Sequence, residues 1–217
     1  GNYIADGNIE TQKHEDINDY LKELYLEIEK VLDPLREEIE MIGIGIGAPN
    51  GNYYKGSIEF APNLRWHDVI PLCDMMKEFY PQLPIFLTND ANAAAIGEMI
   101  YGGAKGMKDF IMVTLGTGLG SGFVANGQLI YGSDGFAGEL GHIIVSPNGR
   151  QCGCGRNGCL ETYVSATGVK RTAYKMMAKY NYPSDLRLVP FNEMTAKMVS
   201  EAAQKGDMIA INTFKYT

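Results

Sequence analysis

The 217 residues predict an α/β protein, and three observations carry that prediction. Stretches with apolar residues at helical spacing alternate along the chain with stretches of strand character. The short apolar run Pro84 to Thr88 leads straight into Asn89-Asp90 and an alanine-rich segment, the strand-to-helix step of an α/β sheet. Composition agrees: 45% hydrophobic and 21% charged residues are globular values that exclude a collagen, a disordered tail or a coiled-coil rod. The length suits one large or two small domains.

The elements follow in order. Ile17, Tyr20, Leu21, Leu24, Ile28, Val31 and Leu32 give residues 15–32 the apolar stripe of an amphipathic helix that Pro34 ends. Met41 to Gly47 alternates apolar residues with glycines, a strand whose bare face leaves room for a close neighbour. Asp68 is expected to cap a helix with Pro71 in its first turn and Leu72, Met75, Met76 and Phe79 on its buried side. The strand Pro84 to Thr88 precedes a helix from Ala91 to about Tyr101. Phe110 to Leu115 reads as a strand, Gly116 to Gly122 as a glycine loop, and Phe123 to Ala125 as a hairpin partner. Helices are expected over Glu161 to Tyr180, Glu193 to Gln204, and from Asp207 onward. The last shows no stop signal before Thr217 and the chain starts Gly1-Asn2-Tyr3 without methionine, so truncation at both ends is expected. There is no internal repeat and no low-complexity linker.

Nineteen basic and 26 acidic residues leave a formal charge of -7, which argues against a general nucleic-acid binder. The uncharged run Phe110 to Ser133 is broken by six glycines and several polar residues, so it does not read as a membrane helix. No signal peptide is visible. Of the 26 glycines, 17 fall between Gly102 and Gly168, together with three of the four cysteines, a local demand on the backbone.

His142, Cys152, Cys154 and Cys159 form the pattern H-x9-C-x-C-x4-C. A Cys3His set fills the tetrahedral shell of a structural zinc ion, and Gly153, Gly155 and Gly158 suit a loop wrapped round it at positive φ. On spacing alone, reduced core cysteines or a disulfide stay open as alternatives. Cys73, alone at helical spacing, reads as a core residue, and His14 and His67 as surface or packing residues. The glycine run Gly116 to Gly122 offers converging backbone N–H groups to an anion, with the Thr117 hydroxyl beside them; a plain glycine hairpin is the alternative. It fits neither the P-loop nor the dinucleotide fingerprint. Asp90 sits at the mouth of the sheet, where ligands bind, or serves as an N-cap. A metal that gathers His142 and the cysteines also draws Glu139 and Glu161 into one neighbourhood, a set suited to several hydroxyls at once. Glu161 as a helix-start residue is the plain alternative.

Six segments together resemble the ROK family of sugar kinases and sugar-responsive repressors. They are Gly43 to Pro49, Ala61-Pro62-Asn63-Leu64-x-Trp66, Thr88 to Ala95, Leu115 to Gly122, Gly138 to His142, and Cys152 to Glu161. The resemblance implies an actin-like ATPase (ribonuclease H-like) fold of two α/β lobes with an active-site cleft, incomplete here at both ends. It divides the chain into a partial N-terminal lobe, residues 1–100, and a partial C-terminal lobe, residues 101–217, with the zinc loop at 142–159. It implies ATP-dependent phosphorylation of a hexose, glucose to glucose 6-phosphate foremost, with Asp90 as the base. Asn89, Glu139, His142 and Glu161 would hold the sugar, while Gly116, Thr117, Gly118, Gly120 and Gly122 would contact the nucleotide phosphates. Mg2+ would accompany ATP, and the resemblance favours structural Zn2+ over a disulfide. His142 would place one ring nitrogen on the metal and the other on a sugar hydroxyl. A cytoplasmic homo-oligomer, a dimer when full length, is implied, with no membrane and no nucleic acid as partner. The alternative is the sugar-effector domain of a ROK-type repressor. An Asp-x-Gly-Gly-Thr phosphate turn and a later Gly-Gly adenosine segment are absent, so this polypeptide alone is expected to phosphorylate sugar poorly and to leave a sheet edge exposed.

Overall fold

A computed structural model describes residues 2–217, which form two compact units. One holds the chain up to Met112 together with Gly122–Gly138; the other holds Val113–Ser121 and Glu139–Thr217.

In the first unit, α1 (Ile17–Leu32) starts where the Asp16 carboxylate accepts from Asn18 N at 2.8 Å. Its apolar stripe covers a core of Leu21, Ala48, Ile58, Trp66, Met76 and Leu87 among others. Leu21, Met76 and Leu87 are each 1% exposed, a burial that contributes about 2 kcal/mol per side chain. Strand β1 (Ile44–Ala48) pairs in parallel with β5 (Ile85–Asn89), with Ile44 opposite Ile85 and Ala48 opposite Asn89. Ile44 and Ile46 face the core. On the other face a Cβ at Gly47 would come 3.0 Å from Ala93 Cβ, so α3 (Asp90–Ile100) passes over bare backbone there. The close neighbour expected from the glycine alternation is this helix.

Between β1 and β5, the short strands β2 (Gly51–Asn52), β3 (Ser57–Glu59) and β4 (Val69–Ile70) form an antiparallel sheet. Asp68 is therefore not a helix cap. It precedes β4, and α2 (Leu72–Lys77) begins after Pro71, which supplies no side-chain cap. Pairing with β3 takes the residues that the cap motif would have used.

Strands β6 (Phe110–Leu115), β7 (Leu119–Ala125) and β8 (Gln128–Leu129) make a third sheet, and β6 and β7 each supply residues to both units. The glycine loop is shorter than expected, because β7 begins at Leu119 and only Gly116-Thr117-Gly118 turn. Gly122 is buried in β7, where a Cβ would meet Ala95 Cβ at 2.6 Å and Ala91 O at 3.1 Å. Packing against α3 holds Gly122 extended despite the weak strand preference of glycine.

In the second unit, the helix expected over residues 161–180 is broken at Ser165 into α4 (Glu161–Val164) and α5 (Ala166–Lys179). Ser165 is extended, and its hydroxyl accepts from Gly168 N at 3.1 Å, so a local cap replaces the continuing helix. Helix α6 (Ala196–Gln204) starts behind Thr195 rather than at Glu193, and α7 (Met208–Tyr216) starts behind the Asp207 cap as expected. Val169, Ala173, Met176, Val199, Ile209 and Ala210 join these three helices. Among the described residues, no helix is long and apolar enough to cross a membrane.

Candidate functional site

The His/Cys motif folds as a narrow loop in the second unit. Val145 N donates to Gly158 O at 2.9 Å, Leu160 N to Ile143 O at 2.9 Å, and Gly158 N to Arg150 O at 2.7 Å. At its tip, Cys152 N donates to Arg156 O at 2.9 Å and Gly155 N to Cys152 O at 3.1 Å. Gly155 and Gly158 have φ of 86° and 77°, as a tight wrap requires; Gly153 does not share the positive φ expected of it. A Cβ at Gly158 would run into the Ser146 carbonyl. Gly158→Ala is therefore expected to cost about 3 kcal/mol or more, read as a lowered melting midpoint; an unchanged midpoint would contradict this close approach.

Arg150 ties the loop to the helices behind it. Its guanidinium donates to Thr162 O at 2.7 Å, Gly168 O at 3.0 Å and Thr172 Oγ1 at 2.8 Å, and lies 4.7 Å from the Tyr163 ring centre. Sequence reasoning missed this clamp, since an isolated arginine carries no signal of it.

The four ligand atoms of His142, Cys152, Cys154 and Cys159 lie within 4.8 Å of one another. Cys154 Sγ is 3.7 Å from Cys159 Sγ, and Cys152 Sγ is 3.6 Å from His142 Nδ1. Around a tetrahedral zinc ion, the usual bond lengths give sulfur–sulfur edges of about 3.8 Å and sulfur–nitrogen edges of about 3.6 Å. The residues fit the metal. All the cysteines are free thiols, far from the about 2.05 Å of a disulfide. Cys73 is buried in the first unit's core, as its spacing indicates. Arg156 beside Cys154 draws that thiol down to about 6, whereas burial pushes Cys152 up to about 12 and Cys159 up as well. A dication among them would favour the thiolate form of all three.

Glu161 stands against this cluster. Its Oε1 accepts from the Cys152 thiol at 2.9 Å and lies 3.8 Å from His142 Nδ1, while Oε2 accepts from Leu119 N at 3.4 Å. With Nδ1 turned to the sulfurs, Nε2 is the His142 nitrogen left for another partner. Glu139 is exposed and opens the helical turn Leu140–His142, its carbonyl accepting from His142 N at 3.1 Å. The glycine turn reaches the same place: a Cβ on Gly118 would lie 2.7 Å from Glu161 Oε2, and Gly116 O accepts from Ala166 N at 2.9 Å. Gly116 and Thr117 are exposed. Gly120 lies in β7, as does Gly122, whose missing side chain serves the contact with α3.

In the first unit, Asn89 and Asp90 stand at the carboxyl end of β5 and the start of α3. Asn89, not Asp90, is the N-cap. Its Oδ1 accepts from Ala91 N at 2.9 Å, and Asp90 Oδ1 accepts from the same N–H at 2.8 Å. Asp90 is exposed, its carboxylate at the positive end of an 11-residue helix.

Comparison with known proteins identifies the family. The family model described as "ROK family" matches residues 3–217. A glucokinase of Halalkalibacterium halodurans is 43% identical over 82% of this chain and 54% of its own length. The xylose repressor of Bacillus subtilis is 37% identical over 71% of this chain and 40% of its own. The chain thus spans about half the length of the curated relatives it matches. The crystal structure of a ROK family glucokinase from Streptomyces griseus, in complex with glucose and AMPPNP, matches with a TM-score of 0.68 and 35% identity. That match covers 89% of this chain and 63% of that one. The fold is the two-lobed α/β fold of actin-like ATPases and sugar kinases, and the chain belongs to the ROK family.

Proposed function

We propose that the complete protein is an ATP-dependent hexose kinase that converts glucose to glucose 6-phosphate in the cytoplasm, where a reducing environment keeps its thiols free for metal. The observation that carries this reading is the exposed Asp90 carboxylate at the head of α3, with the helix cap supplied by Asn89. Asp90 orients the attacking sugar hydroxyl and takes its proton, Asn89 holds a neighbouring hydroxyl, and Glu139, Glu161 and His142 Nε2 hold others. Zn2+ on His142 Nδ1 and the three cysteines fixes that imidazole's tautomer and angle. Gly116, Thr117 and Gly118 offer N–H groups and a hydroxyl to the nucleotide phosphates, with Gly120 and Gly122 shaping the strand that follows. Bound with ATP, Mg2+ supplies neutralisation of the phosphate charge.

A coupled assay of the complete protein over glucose, mannose, fructose and N-acetylhexosamines tests the reading. Glucose is expected to give the highest kcat/KM, in the range of about 10^4 M⁻¹s⁻¹ or above. No phosphorylation of any hexose would overturn it. The second reading, the effector domain of a repressor, is favoured by the likeness to the xylose repressor. It predicts sugar-responsive DNA binding by the complete protein and no turnover.

A further inference from the structure

The residues assigned to the sugar above are polar, yet a pyranose ring also presents faces of C–H bonds that hydroxyl-seeking groups do not satisfy. The first unit carries an aromatic cluster suited to such a face. Tyr53 stacks on Tyr131 with ring centres 4.2 Å apart and planes 15° from parallel, and Tyr54 stands edge-on to both, 5.7 Å from Tyr53 and 6.1 Å from Tyr131. Tyr53 and Tyr54 are 38% and 59% exposed, while Tyr131 backs them.

The cluster is held rigid. Tyr54 Oη donates to Gly132 O at 2.9 Å. Asn52, fully buried, donates to Asp134 O at 2.9 Å and accepts from Tyr54 N at 3.1 Å and Lys55 N at 3.3 Å. Gly135, at φ 90°, comes so close that a Cβ would lie 2.9 Å from Asn52 Oδ1. The segment after Tyr131 is thus pinned to the turn between β2 and β3, and that segment runs on to Gly138.

The strand that leads into the cluster abuts the end of β5. A Cβ on Gly51 would run into Thr88 O and lie 2.7 Å from Leu87 Cδ2, so β2 rests on the end of β5 two residues before Asp90. Burial pushes the Tyr131 phenol up, and the Thr88 hydroxyl facing it works the other way.

We propose that Tyr53 and Tyr54 form an aromatic wall against the C–H face of the hexose, with Tyr131 as the positioning residue behind them. Rigid exposed rings need little ordering to receive a ligand, and their faces take C–H groups without competing for hydroxyls. The proposal rests on the hexose-kinase reading and makes the wall a determinant of affinity rather than of the chemical step.

Two measurements on the complete protein test it. Tyr53→Leu keeps an apolar side chain but removes the ring, and is expected to raise the glucose KM and Kd about tenfold with kcat within about threefold. Tyr53→Phe, which restores the ring, recovers most of the lost affinity. Independently of any variant, nitration of wild-type Tyr53 and Tyr54 by tetranitromethane, located by mass spectrometry, is expected to slow at least fivefold in saturating glucose. Glucose that is bound and phosphorylated while nitration stays unchanged overturns the wall and leaves the kinase reading intact. A Tyr53→Leu protein that folds and binds glucose as wild type does the same. A complete protein that binds no hexose overturns both.

Discussion

Asp90→Asn in the complete protein is expected to lower kcat for glucose phosphorylation about 10^3-fold while leaving the glucose Kd within about threefold. The substitution is close to isosteric. An amide oxygen at this position still accepts from Ala91 N, and Asn89 Oδ1 holds the same N–H at 2.9 Å, so α3 keeps its cap. On the proposed reading, what disappears is an acceptor for the sugar hydroxyl's proton and a negative charge that would hold that hydroxyl in line with the γ-phosphate. Phosphoryl transfer passes through a loose transition state that asks little of a base, so most of the loss is of orientation. Coupled assay and calorimetric titration check the two halves of the result. A kcat within tenfold of wild type would remove Asp90 from the base position.

Metal removal is expected to have the second large effect. The complete protein should contain about one zinc ion per chain, and Cys159→Ser, which replaces a fully buried ligand, should lose it. The loop carries few apolar side chains of its own. Its order rests on the Arg150 clamp and the hydrogen bonds across it, to which a bound metal would add. Zinc-binding free energies in small zinc domains are on the order of 10 kcal/mol, so the metal can outweigh the rest of the loop's stability. Loss of zinc frees the His142 ring and the segment leading to Glu161, and glucose affinity should fall at least tenfold with a lower melting midpoint. Elemental analysis under reducing conditions and thermal unfolding with and without chelator check this. A metal-free protein with unchanged melting and sugar affinity would remove zinc from the account.

Much of this was legible in the sequence because local rules and tertiary packing agree there. The stripe from Ile17 to Leu32, the apolar run Phe110 to Leu115 and the Asp207 cap each became the element their spacing indicates. The His142 and cysteine spacing likewise came together as a four-ligand cluster. The misreadings fall where a side-chain cap or a contact across the fold overrides the local pattern. The apolar period runs through Ser165 without a break, and only the cap to Gly168 shows why the helix stops. Gly122 looks like loop until α3 lies against it. One signal was present and unused. Asn126-Gly127, with φ of 52° and 73°, is the turn that joins β7 to β8, a dipeptide suited to such hairpins. The Arg150 clamp and the contact of Gly118 with Glu161 had no sequence signal, since each joins residues related only by the folded chain.

The division of labour at the head of α3 bears on how one scaffold serves both enzymes and regulators. Because Asn89 Oδ1 and Asp90 Oδ1 accept from the same Ala91 N–H, the cap survives replacement of Asp90, which is expected to be nearly silent for folding. On the proposed reading, a single replacement there would end the chemistry and leave the sugar-holding residues in place. On that reading the step from kinase to sensor would be short, because function and fold would draw on adjacent residues rather than on the same one.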